Sequence, residues 1–119
     1  MTQYNGTTLA YIGDAIYEVI IREHLLNKGF SKVENLHNEA IKYTSAVGQA
    51  KALNNILDVL SAEEVAVFKR GRNANTERKA RNATLAEYKQ STGFEALIGY
   101  LYLNKSTDRI DQLIAIITK

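Results

Sequence analysis

No proline occurs anywhere in the 119 residues, and that absence constrains the fold more than any other single feature. Proline removes a backbone donor and clashes with the preceding turn, so a chain without it can run in long unbroken helices. The apolar residues fit that reading. Leu9, Ile12, Ile16, Val19, Ile20 and Leu26 recur near helical spacing, while the period-two alternation that marks strands is almost absent. The expected class is all-α.

The punctuation divides the chain into helices. The first is expected from about Thr8 to Asn27, stopped at Lys28-Gly29. Ser31-Lys32-Val33-Glu34 has the form of a capping box opening a second helix through Leu36, Ala40, Ile41 and Tyr43. Gly48 is expected to mark a break or bend before a third helical stretch that ends near Leu57. Ser61-Ala62-Glu63-Glu64 has the same capping form before a short helix with Val65, Val67 and Phe68. A long helix is expected from about Thr84 to Leu103, and a last one from Ser106, as N-cap, to Ile117.

Composition narrows the function classes. With no cysteine, the chain has no disulfide scaffold, thiolate zinc site or cysteine nucleophile, and His24 and His37 are too few for a histidine-rich metal centre. His37 lies near Glu34 and Lys42 and reads as a surface or dimer residue rather than a general base. No apolar run approaches a membrane span and no charged-then-apolar leader opens the chain. The expectation is one domain over residues 1–119, soluble, cytoplasmic and not associated with a membrane.

The charge is unevenly placed. Lys69, Arg70, Arg72, Arg78, Lys79 and Arg81 stand against one acid, Glu77, so residues 69–81 carry +5 and the rest of a +2 chain carries −3. Lys and Arg neutralise phosphates, and an Arg70-Gly71-Arg72-Asn73-Ala74-Asn75 stretch reads as an exposed loop whose backbone can come close to a polyanion. The candidate RNA-binding residues are Lys69, Arg70, Arg72, Asn73, Asn75, Arg78 and Lys79, with the asparagines able to reach 2′-hydroxyls in a shallow A-form groove. An ordinary solvated charge cluster is the competing reading.

Two acids stand in apolar helices. Asp14 sits in Tyr11-Ile12-Gly13-Asp14-Ala15-Ile16-Tyr17, where aspartate is a poor helix residue and Gly13 costs about 1 kcal/mol relative to alanine. Glu95 sits in Thr92-Gly93-Phe94-Glu95-Ala96-Leu97-Ile98-Gly99-Tyr100. If the surfaces of Gly13 and of Gly93 or Gly99 met, the two carboxylates would face each other across a helix crossing. An all-oxygen pair of that kind suits magnesium, which keeps several waters. Each acid has a plainer reading as a solvated surface residue.

Together these segments resemble a known family. Leu9-Ala10-Tyr11-Ile12-Gly13-Asp14-Ala15 is similar to the signature helix of ribonuclease III catalytic domains, and Phe94 to Leu103 is similar to their second acidic motif, in the same order. Arg70-Gly71-Arg72-Asn73-Ala74, Tyr43-Thr44-Ser45-Ala46 and Gln49-Ala50 resemble the compact Mini-III branch, which lacks a double-stranded-RNA-binding domain. The resemblance implies a helical homodimer in which Asp14 and Glu95 are both the catalytic residues and the ligands of Mg2+, with Mn2+ as a substitute. It implies cleavage of double-stranded RNA to 5′-phosphate ends with a short 3′ overhang, the substrate being precursor ribosomal RNA of the large subunit.

The acidic set is thinner than in the larger ribonucleases of that family. Where they carry glutamates ahead of the aspartate this chain has Thr7 and Ala10, and Thr92 replaces an aspartate before the second glutamate. Glu34 lies near a further acid of the larger enzymes but reads first as part of a capping box. A catalytically degenerate RNA-binding protein on the same fold, and a helical interaction protein with an incidental charge cluster, are the rival expectations.

Overall fold

The computed structural model describes residues 4–74 and 83–119. Among these, every regular element is helical: α1 (Gly6–Asn27), α2 (Val33–Thr44), α3 (Ala46–Ile56) with a 3-10 turn at Leu57–Val59, α4 (Ala62–Arg72), α5 (Leu85–Leu103) and α6 (Thr107–Ile117). None of these helices is long and apolar enough to cross a membrane.

Local chemistry accounts for most of the boundaries. Asn5 caps α1, its side-chain oxygen accepting from the Thr8 amide at 2.8 Å, so the helix starts ahead of the expected Thr8. It ends as expected, with Gly29 at φ 105, a conformation that favours glycine. Ser61 and Thr84 each close a reciprocal capping box, with Glu64 and Glu87 respectively. Ser106 is the N-cap of α6, although its side chain makes no capping bond.

Three expectations need correction. The box at Ser31 does not form: Lys32 occupies the N-cap without a side-chain bond, so Glu34 falls one place short of the position a box requires. It remains an acid in the first turn, where the helix dipole favours it. The break before α3 is at Ser45, whose hydroxyl accepts from the Gly48 amide at 3.0 Å, and Gly48 lies inside the helix. A Cβ there would collide with the Lys42 carbonyl, so the glycine permits the tight α2–α3 corner. Finally, Lys69, Arg70 and Arg72 are helical, in the last turn of α4 rather than on a loop. Cations suit a helix C-terminus, and Gly71 faces inward with Val67 and Phe68 buried beside it.

Helix α5 is the spine. Its buried residues, including Phe94, Ala96, Leu97, Ile98 and Leu101, occupy most of its circumference, and α1, α3, α4 and α6 pack around it. Tyr17, Ile21, Leu25, Leu53, Ile56 and Leu113 complete the core, and Tyr17 meets Phe94 edge to face at 4.8 Å. At one end Arg109 of α6 grips Glu64 of α4 with two bonds of 2.8 Å, which holds the Glu64 carboxyl below its ordinary value. Val19 and Leu26, which share the helical spacing of Leu9 and Ile16 in the sequence, are 55% and 53% exposed. The helix is apolar on two faces, and only one of them meets α5.

Candidate active site

The site is built on the crossing of α1 and α5. A Cβ added at Gly13 would fall on the Glu95 carbonyl and one at Gly99 on the Leu9 carbonyl, so the two backbones touch where the glycines meet. Gly93 does not join them. It packs instead against Phe68 and Gly71 of α4.

Asp14 and Glu95 follow directly from that crossing. Each lies within a few residues of the glycine contact on its own helix, and the backbone contact brings their side chains into electrostatic reach. Asp14 is exposed, and Glu95 is largely enclosed between the helices. Burial and the Asp14 carboxylate push the Glu95 carboxyl up to about 8, with Glu18, one turn along α1 from Asp14, adding to the rise. A hydrogen bond of 3.2 Å from Gln49 Nε2 to Glu95 Oε2 works in the opposite direction.

Among the described residues no group of three or more Asp, Glu, His or Cys side chains could hold a metal ion. The pair at the crossing is therefore a thin site. It fits a hard cation that takes one or two protein carboxylates and keeps its waters. The observation that supports this fit is the pair itself, an enclosed Glu95 set beside Asp14 by the Gly13–Gly99 contact, since a cation would offset both the lost hydration and the repulsion that raise the Glu95 carboxyl.

The basic residues stand at the C-terminal end of α4, whose Gly71 packs against Gly93, Ala96 and the Thr92 carbonyl of α5. Lys69 is exposed. Arg70 donates to the Tyr4 carbonyl, and Arg72 lies 5.5 Å from the centre of the Phe68 ring while its Nε donates to Asn73 Oδ1 at 3.1 Å. The structure thus brings Lys69, Arg70, Arg72 and Asn73 together, with both arginines also engaged within the molecule. Asn75, Arg78 and Lys79 lie outside the described residues. Thr92, which stands in place of an acid, turns its hydroxyl to the Tyr88 carbonyl at 3.1 Å.

Sequence reasoning overlooked Gln49 as part of this site. It occupies the inward stripe of α3 with Leu53 and Ile56, at intervals of four and seven residues, and is 2% exposed. An amide on an otherwise apolar helical stripe was the available signal.

The ribonuclease III domain family matches residues 7–106, a span that contains the crossing of α1 and α5 and both acids. Mini-ribonuclease 3 of Streptococcus pneumoniae is 45% identical over 113 residues, covering 93% of this chain and 88% of that protein. Mini-ribonuclease 3 of Enterococcus faecalis is 45% identical over 114 residues, covering 94% and 86%. A crystal structure of a protein from Fusobacterium nucleatum superposes with a TM-score of 0.89 at 33% identity, covering 98% of this chain and 95% of the other. The chain belongs to the ribonuclease III family, in its Mini-ribonuclease 3 branch.

Proposed function

We propose that this chain is a magnesium-dependent endoribonuclease that cuts double-stranded RNA as a homodimer. The observation that carries the proposal is Asp14 beside a Glu95 that burial and like charge hold up to about 8. Two carboxylates so placed are a receptor for a divalent cation. When bound, the cation supplies activation of water and offsets charge developing on the leaving oxygen. Asp14, which is exposed, and Glu95, which is largely enclosed, would hold it there; water would add at phosphorus and the 3′ oxygen would leave, giving 5′-phosphate and 3′-hydroxyl ends.

The substrate side rests on the charge at the end of α4. Lys69, Arg70, Arg72 and Asn73, continuing in sequence to Asn75, Arg78 and Lys79, are the candidate contacts to phosphates and 2′-hydroxyls. Precursor ribosomal RNA of the large subunit, encountered in the cytoplasm, is the substrate that the family resemblance implies. A second copy is supported by the apolar residues that α1 leaves in solvent. Tyr11, Val19 and Leu26 are 79%, 55% and 53% exposed, and Val33 of α2 is 78% exposed.

The thinness of the acidic site favours one other reading, a fold that binds RNA without cutting it. Cleavage of a long double-stranded RNA, with and without magnesium, separates the two. The expected result is magnesium-dependent cutting that Asp14→Asn abolishes while RNA binding and folding persist. RNA binding by the wild type without cutting would establish the binder instead.

A further inference from the structure

Gln49 contributes an unusual group to the core. It is 2% exposed on the face of α3 that also carries Leu53 and Ile56, where an apolar side chain would pack without polar atoms to satisfy. Its Nε2 has two acceptors, the Thr44 carbonyl at 3.1 Å and Glu95 Oε2 at 3.2 Å, and so both amide hydrogens are committed. Its Oε1 is buried and has no hydrogen-bond partner.

The chemistry decides which way this amide points. Turning it over would set Oε1 against the Thr44 carbonyl, two acceptors with no hydrogen between them, and would lose the bond to Glu95 whenever that carboxylate is ionised. The observed orientation leaves one acceptor unsatisfied and keeps two bonds, one of them charge-assisted when Glu95 is ionised. The backbone anchor is rigid, since Thr44 ends α2 and Ser45 caps α3 at the tight corner made with Gly48.

We propose that Gln49 is a positioning residue for cation binding: it ties Glu95 Oε2 to the α2–α3 corner and thereby presents the other carboxylate oxygen, with Asp14, to the metal. The proposal rests on the magnesium reading of the site and assigns Gln49 no contact with substrate. Groups that orient a metal-binding carboxylate in this way commonly change metal affinity by about 10- to 100-fold when removed.

The test uses Gln49→Met and Gln49→Leu, which keep the side chain's bulk and remove its hydrogen bonds, beside the wild type and Asp14→Asn. Mn2+ binding to the RNA-free protein is followed by electron paramagnetic resonance. Affinity for double-stranded RNA is measured in EDTA, and folding by denaturant titration. The expected result is a Mn2+ dissociation constant raised at least about tenfold in both Gln49 variants. RNA affinity is unchanged, folding is intact, and cleavage recovers at high magnesium. Equal Mn2+ affinity in wild type and both variants overturns the positioning role and leaves the metal site standing. Absence of a Mn2+ site that Asp14→Asn removes overturns the metal reading and this proposal with it. Failure of both variants to fold also overturns the proposal, because Gln49 would then be part of the core alone.

Discussion

Gly13 of α1 and Gly99 of α5 stand against each other without room for a Cβ on either, each looking onto the other helix's backbone. The contact places Asp14, next to one glycine, beside Glu95, one turn before the other. Helices with larger residues at the crossing keep their axes about 8–10 Å apart. Here the spacing of the acids depends on the absence of two side chains.

Alanine at Gly99 should therefore disturb stability and site together. Its Cβ would fall on the Leu9 carbonyl, a backbone atom that cannot rotate away. We expect Gly99→Ala to lose about 3 kcal/mol or more in denaturant unfolding, at the upper end of overpacking costs, and to lose cleavage as the helices part. A loss below about 1 kcal/mol would mean that the crossing yields easily, against the close packing described.

The raised Glu95 makes stability pH-dependent when metal is absent. Its carboxyl titrates near 4.5 when unfolded and about 8 when folded, so between those values the native state holds the extra proton. The Glu95 contribution to stability should be fullest below about 4.5 and be lost as the pH rises through 8, because ionising this enclosed carboxyl beside Asp14 costs the native state alone. Unfolding in EDTA should show about 2 kcal/mol less stability at pH 8 than at pH 5.5, less than the full 1.36 kcal/mol per pH unit because the neighbouring Asp14 is exposed to water. Glu95→Gln should flatten this dependence. An unaltered slope in that variant would assign it to other groups.

The exposed apolar stripe of α1 should be the seat of the dimer. Val19 is 55% exposed and lies two turns along α1 from Tyr11. Sedimentation of the wild type should give a dimer at micromolar concentration, and Val19→Asp should shift it toward monomer while the helical content stays the same. A dimer that tolerates the aspartate would place the partner on another face.

How far the sequence carried the structure can be seen element by element. The all-helical class, the stop at Gly29, the cap at Ser61 and the extent of α5 were legible because each depends on local chemistry: a missing proline, a glycine at positive φ, a serine three residues before a glutamate. The box at Ser31 was misread because the same local pattern can slip by one residue, and only packing decides where α2 begins. The end of α4 was misread as a loop because charge and asparagine outweighed the inward face of Val67, Phe68 and Gly71.

The site shows the same division. The sequence by itself determined that two acids sit in apolar, glycine-bearing helices, and the motifs around them pointed to a family. Only the tertiary structure decided that Gly13 meets Gly99 while Gly93 turns to α4, and that Gln49 reaches Glu95 across 46 positions of chain. It also decided which apolar residues of α1 are buried against α5 and which are left in solvent. The physical reason is that helical periodicity records which side of a helix is apolar, whereas the choice among apolar neighbours rests on steric fit between residues far apart in sequence.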